Sequence, residues 1–90
     1  MIDIAFSPEA TEDYEYWKEK NPNVIDRIKR LLKDMAEHPF TGIGKPEKLK
    51  YELAGKWSRR INTEHRIVYI VSEKENDIYV LALRYYYSKK

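Results

Sequence analysis

The apolar residues Val24, Ile28, Leu31, Leu32 and Met35 fall at i, i+4, i+7, i+8 and i+11. That spacing lines one face of a helix, opposed here by Arg27, Lys29, Arg30, Lys33 and Asp34. The helix must stop near Glu37, because Pro39 disfavours helical geometry at His38. Beyond the proline the period changes. Leu49–Leu53 alternates apolar with polar residues, residues 65–72 (HRIVYIVS) are rich in β-branched side chains, and Ile78–Tyr87 (IYVLALRYYY) reads as a last long strand. A chain that is helical before residue 39 and strand-like after it is constrained to an α+β domain, with helices packed on one face of a sheet.

The first 23 residues fit the same plan. Ile2, Ile4 and Phe6 alternate with Asp3 and Ala5, which predicts a short strand. Ser7-Pro8-Glu9 reads as a helix start, with serine as cap, proline at the first helical position and an acid at the positive end of the dipole. The helix should run to about Lys20 and put Ala10, Tyr14 and Trp17 on one face. Asn21-Pro22-Asn23 turns the chain into the second helix, and so short a turn predicts an antiparallel hairpin. Ala54-Gly55-Lys56 is a plausible hairpin turn, and Trp57–Ile61 a strand. The expected order is β-α-α-β-β-β-β, a helical hairpin on a mainly antiparallel, twisted sheet, in a single domain spanning residues 1–90.

Charge is segregated along the chain. Gly42 to Arg66 carries seven Lys or Arg against three Glu, whereas residues 1–41 carry six against nine Asp or Glu. The formal net charge of +2 conceals this, and the asymmetry points to an anionic partner. The chain has no cysteine, which excludes disulfides and thiolate metal sites and fits a reducing cytoplasm. Two histidines argue against a classical zinc site. There is neither an apolar run long enough to cross a membrane nor a basic-then-apolar leader pattern, so a cytoplasmic protein without a membrane partner is expected.

Within the basic segment, Lys45, Lys48, Lys50, Lys56, Arg59, Arg60 and Arg66 can share a sheet face. Arginine suits bidentate phosphate contact and lysine acts as a point charge. A solvated basic edge that discourages aggregation is the plain alternative. Interleaved aromatics (Tyr51, Trp57, Tyr69, then Tyr85–Tyr87) favour RNA, whose unpaired bases stack on such rings, although Trp57 and Tyr69 equally suit a core. Glu47 stands among the lysines, where a pure nucleic-acid binder would avoid a carboxylate. It reads either as a surface ion-pair partner or as a general base for a ribose 2′-hydroxyl, with cations holding the neighbouring phosphate. Alternation on a strand sets His65 and Arg66 on opposite faces, so His65 is expected to pack if Arg66 meets phosphate. His38 reads as the end of the second helix.

The motif G-x-GKPE-x-LK followed by WSRRI-x-x-EHR-x-VY, with YWKEKNPNVIDRIKRLLKD before it and RYYY after it, resembles the YoeB/Txe family of toxins in the RelE superfamily. The resemblance runs from Tyr14 to Tyr87. It implies a RelE-like fold and a metal-independent endoribonuclease, without cofactor, that cuts mRNA in the A site of the 70S ribosome and so inhibits translation. It also implies a YefM/Axe-like antitoxin as partner and admits a homodimer. By position, Glu47 matches the general base, Arg66 the phosphate-stabilising arginine, Lys50 and Arg60 the cations near the scissile phosphate, and Tyr87 the C-terminal tyrosine. Lys45, Arg59 and Arg84 are further candidate RNA contacts.

One position departs from the family. Its usual ending is Arg-Tyr-His-Tyr, the histidine serving as general acid, and here that position is Tyr86. Tyrosine titrates near 10 and histidine near 6.5, so Tyr86 would be the weaker acid by about three units. A neighbouring cation such as Arg84 would lower its pKa. Two other functions remain compatible with the sequence. One is an RNA- or ribosome-binding inhibitor weakened in catalysis, and the other an antitoxin-binding co-repressor; neither needs Glu47.

Overall fold

The computed structural model describes residues 2–84. Strand β1 (Asp3–Phe6) leads into helix α1 (Pro8–Lys20), and α2 (Pro22–Glu37) follows after a single residue, Asn21. The strands β2 (Glu47–Lys48), β3 (Trp57–Arg60), β4 (Arg66–Ser72) and β5 (Asp77–Ala82) complete the order read from the sequence. Ser7 caps α1 as expected: its Oγ accepts the Ala10 N–H at 3.0 Å, an arrangement worth about 1 kcal/mol. Asn21 ends α1, its N–H donating to the Trp17 carbonyl, and opens α2.

The five strands form one sheet in the order β1-β5-β4-β3-β2. All pairings are antiparallel except β1 with β5, which run parallel. The helical hairpin between β1 and the remaining strands is what allows that parallel pairing. Register then sorts the side chains. Trp57 lies opposite Tyr69, Arg59 opposite Ile67, Tyr69 opposite Val80, and Phe6 beside Val80, so these residues share one face. Ile28, Leu31 and Met35 of α2 and Ala10 and Trp17 of α1 close over that face and form the core with Ile67, Tyr69, Ile78 and Val80. Full burial of each large aliphatic chain contributes about 1.5–3 kcal/mol.

Arg59 is a correction to the sequence reading. Expected as an RNA contact, it is 0% exposed. Strand alternation gives it the same face as Trp57, so it points under the helices. There its guanidinium is filled: Nη1 donates to Asp34 Oδ2 at 2.6 Å and to the Ile43 carbonyl at 3.1 Å. Nη2 donates to the carbonyls of His38 and Thr41, and Nε to the Tyr69 hydroxyl at 3.1 Å. Tyr69 in turn donates to the Pro39 carbonyl. A buried cation is tolerable only with its donors satisfied, and here α2, the 38–43 loop and β4 all supply acceptors.

Two strand boundaries also differ from expectation. Leu49–Leu53 is not a strand. β2 is two residues long, and Tyr51–Leu53 form a single 3-10 turn. Tyr51 adopts φ 59°, a left-handed conformation that no strand accepts. β5 ends at Ala82, and the Tyr85–Tyr87 portion of the expected strand lies outside the described residues.

The guanidinium fork should not be replaceable by an ammonium. Arg59→Lys is expected to cost about 3 kcal/mol or more, lowering the thermal midpoint by roughly 12 °C or more in a domain of this size. The Arg59 hydrogen bond holds the Asp34 carboxyl below its ordinary value of 3.8. This contribution is therefore complete above pH 3.8 and is lost as pH falls through the folded value. The stability advantage of wild type over Asp34→Asn, measured by urea unfolding, should shrink steadily below that pH.

Candidate active site

The site begins with the loop that follows α2. Asp34 Oδ2 accepts the Ile43 N–H at 3.1 Å as well as the Arg59 fork. Gly42 passes so close that a β-carbon there would lie 1.9 Å from the same oxygen. Gly44, at φ 83°, packs its backbone on Leu31 and Arg59, where a β-carbon would meet Leu31 Cδ2 at 2.6 Å. Only glycine fits both places. The Gly44 carbonyl then accepts the Arg60 N–H at 2.7 Å. Strapped to α2 on one side and β3 on the other, the loop delivers Glu47 into the edge of the sheet.

Pairing fixes what Glu47 meets. It stands opposite Ser58, and Ser58 opposite Val68. Arg60 stands opposite Arg66, two residues farther along the same two strands, and so on the same face. That face is the one turned away from the helices. Glu47 and Arg60 are exposed. Arg66 is only 7% exposed, and its Nη1 donates to the carbonyls of Asn62 at 2.8 Å and His65 at 3.1 Å. Asn62 shapes the turn that presents those carbonyls, its Oδ1 accepting the Glu64 and His65 N–H groups. Arg66 is thus aimed by its own turn, which lowers the entropy lost when a guanidinium grips an anion.

The other candidates fall around this face unevenly. Lys45, at φ 53°, and Lys50 are exposed on either side of β2. Arg84 sits just beyond β5, its guanidinium 3.7 Å from the centre of the Tyr16 ring, a cation–π contact that holds it against α1. His65 packs edge-on against Trp17, with ring centres 4.9 Å apart, and burial holds its pKa below the ordinary 6.5. Tyr86 and Tyr87 lie outside the described residues.

Sequence reasoning missed the clamp that fixes the approach to those tyrosines. Ser7 Oγ donates to the Leu81 carbonyl at 3.0 Å. Asp13 Oδ2 accepts the Leu83 N–H at 2.9 Å, and Trp17 Nε1 donates to the Leu83 carbonyl at 2.9 Å. The available signal was Asp13 itself, an acid set within the Ala10–Trp17 apolar face, where an unpaired charge would be out of place. Burial raises its pKa above the ordinary 3.8, against the lowering effect of the Leu83 hydrogen bond.

Comparison with known proteins agrees with this architecture. Residues 6–87 match the family model described as "YoeB-like toxin of bacterial type II toxin-antitoxin system". The chain belongs to this family. Within it, the toxin YoeB of Escherichia coli K12 is 44% identical over 84 residues, covering 93% of this chain and 98% of that protein. A solved YoeB/ParE toxin from Agrobacterium tumefaciens superposes with a TM-score of 0.91 at 37% identity, over 96% of this chain and all of the other. Staphylococcus aureus YoeB, solved as a dimer and in complex with YefM, superposes at 0.86 and 0.84 with 45% identity in both cases. These cover 96–97% of this chain and 98–99% of theirs. The YoeB-like family is therefore the frame in which the Glu47 face is read.

The clamp makes a separable prediction. Asp13→Ala leaves the buried Leu83 N–H without its acceptor and should cost about 1–3 kcal/mol. Asp13→Asn keeps an acceptor. Because the folded carboxyl titrates above the unfolded one, its contribution is present below pH 3.8 and lost as pH rises through the folded value. Asp13→Asn should therefore match or exceed wild type in urea unfolding at pH 7, and lose that advantage at pH 4.

Proposed function

We propose that this toxin is a ribosome-dependent mRNA endoribonuclease whose chemistry is carried by Glu47 and the cations sharing its face. The observation that supports the reading most directly is the sheet register, which sets an exposed carboxylate on the same face as Arg60 and Arg66. Glu47 removes the proton of a ribose 2′-hydroxyl, and the 2′-oxygen attacks the adjacent phosphorus. The bond from phosphorus to the 5′-oxygen breaks, leaving a 2′,3′-cyclic phosphate and a 5′-hydroxyl. Arg66, with Lys50 and Arg60, stabilises the charge that builds on the phosphoryl oxygens, and Lys45 and Arg84 steer the backbone. Tyr86 or Tyr87 supplies the proton to the departing 5′-oxygen. The nucleophile is internal and the cations neutralise the phosphate, so these side chains account for the reaction.

The same reading assigns partners. The YefM complex solved for the S. aureus relative supports a YefM-like antitoxin as the protein that neutralises this chain, and the S. aureus dimer supports a homodimer. The ribosome with its A-site message is the substrate assembly. The cytoplasm is the compartment these partners require. Among the described residues, no helix is long and apolar enough to cross a membrane.

Primer extension on a defined message in a reconstituted translation reaction tests the mechanism. Wild type should produce A-site cuts, and Glu47→Gln should reduce cleavage by about 10²–10⁴-fold, the typical worth of a positioned base. Arg66→Ala should fall at least as far, with thermal unfolding confirming that both variants fold. Tyr86→His should raise the cleavage rate near neutral pH. Full cleavage by Glu47→Gln would overturn the assignment of the base, and stalled ribosomes on uncut message with wild type would make this chain a binder rather than a nuclease.

A further inference from the structure

Three described aromatics stand within or just beyond the basic segment, and the fold disposes of two. Tyr69 is buried beneath the helices, and Trp57 is half-buried against Phe40, with ring centres 4.9 Å apart. Tyr51 is different: it is 89% exposed, more than the other exposed large apolar residues, Ile43 and Tyr79.

The backbone around Tyr51 is closed tightly. Leu49 is 4% exposed, and its N–H donates to the Lys56 carbonyl at 2.9 Å. The Lys50 carbonyl accepts the Leu53 N–H at 3.0 Å, the Tyr51 carbonyl accepts the Ala54 N–H at 3.0 Å, and Lys56 N–H donates to Leu53 at 3.1 Å. This network holds Tyr51 at φ 59°, where a β-carbon is disfavoured and glycine or asparagine would sit more easily. The ring neither fills the core nor suits its own backbone, so folding gives no reason for it. Residues held in such conformations collect at binding sites.

Its surroundings say what it would meet. Lys48 and Lys50 are exposed beside it, and Lys56 closes the loop. Glu47 is four residues away, so the two Cα atoms are at most about 14 Å apart. Resting on the function proposed above, we infer that Tyr51 is a stacking platform for an unpaired nucleobase of the RNA whose backbone crosses the Glu47 face. The lysines hold the flanking phosphates, and the ring fixes the strand's register relative to Glu47. Any base offers a π-face to such a ring, so this contact contributes affinity and positioning rather than hydrogen-bonded base choice. The base belongs either to the message or to the ribosome.

The test uses the full chain carrying Glu47→Gln, so that bound message stays intact, and measures its affinity for ribosomes with and without a defined mRNA in the A site. Tyr51→Phe should bind as the parent does. Tyr51→Ala and Tyr51→Gly should bind about tenfold to a hundredfold more weakly, while Tyr51→Gly, freed of its β-carbon, unfolds at the same or a higher temperature. A loss confined to message-bearing ribosomes assigns the base to the message, and a loss on both assigns it to ribosomal RNA. Unchanged affinity in Tyr51→Gly overturns the inference alone, as does an equal loss in Tyr51→Phe, which would implicate the hydroxyl. Weakening only of a complex with the antitoxin overturns it in favour of a protein contact. Failure of the parent to bind either ribosome overturns this inference and the function on which it rests.

Discussion

A guanidinium buried between the sheet, α2 and the loop that follows it is the interaction on which the rest of this structure depends. Arg59 reaches from β3 to Asp34 on α2, to carbonyls at His38, Thr41 and Ile43, and to the Tyr69 hydroxyl on β4. Each of those carbonyls belongs to the segment that follows α2. One side chain satisfies them together, and so sets where the loop lies. The loop's far end carries Gly44, whose carbonyl holds β3, and then Glu47. An error at Arg59 would therefore be felt at a carboxylate on the opposite face of the sheet.

The candidate site on that opposite face follows from pairing rather than from a pocket. Neighbours in register share a face, so β2, β3 and β4 bring Glu47, Arg60 and Arg66 together with no side chain having to reach far. The cations differ in how they are held. Arg66 is oriented by the turn at Asn62 and Arg60 has its side chain in solvent, whereas Arg84 is held apart from them, against α1, by the Tyr16 ring. A set of this kind, part fixed and part in solvent, suits an anionic partner.

Periodicity made most of this legible. The α2 stripe, the capping serine and the β-branched run of β4 needed no tertiary information, because each is enforced by local geometry. Arg59 and Arg60 were not separable in the same way. Adjacent arginines on a strand must face opposite sides, yet which one turns inward depends on where Trp57 packs, and that is settled by the helices. The short β2 was obscured for a related reason: Leu49, Tyr51 and Leu53 alternate like a strand, but the backbone at Tyr51 turns left-handed instead. The motif itself, from the GKPE run to Arg66, was readable as a family likeness before any fold was in view. Tyr86, the position that departs from the family pattern, lies outside the described residues.

The sheet order has a consequence for how such a chain comes into being. β5 is the last strand among the described residues, yet it lies between β1 and β4, and it and the residue that follows are clamped by Ser7, the cap of α1, and by Asp13 and Trp17 on α1. Until that strand arrives, β1 lacks its strand partner and the clamp residues of α1 have no carbonyl or amide to hold. A growing polypeptide can form its helical hairpin early, but the sheet closes only when the two extremities of the sequence meet across more than sixty intervening residues. The chain is thus assembled from the outside in, and a product truncated before β5 would leave β1 and β4 without the strand that joins them.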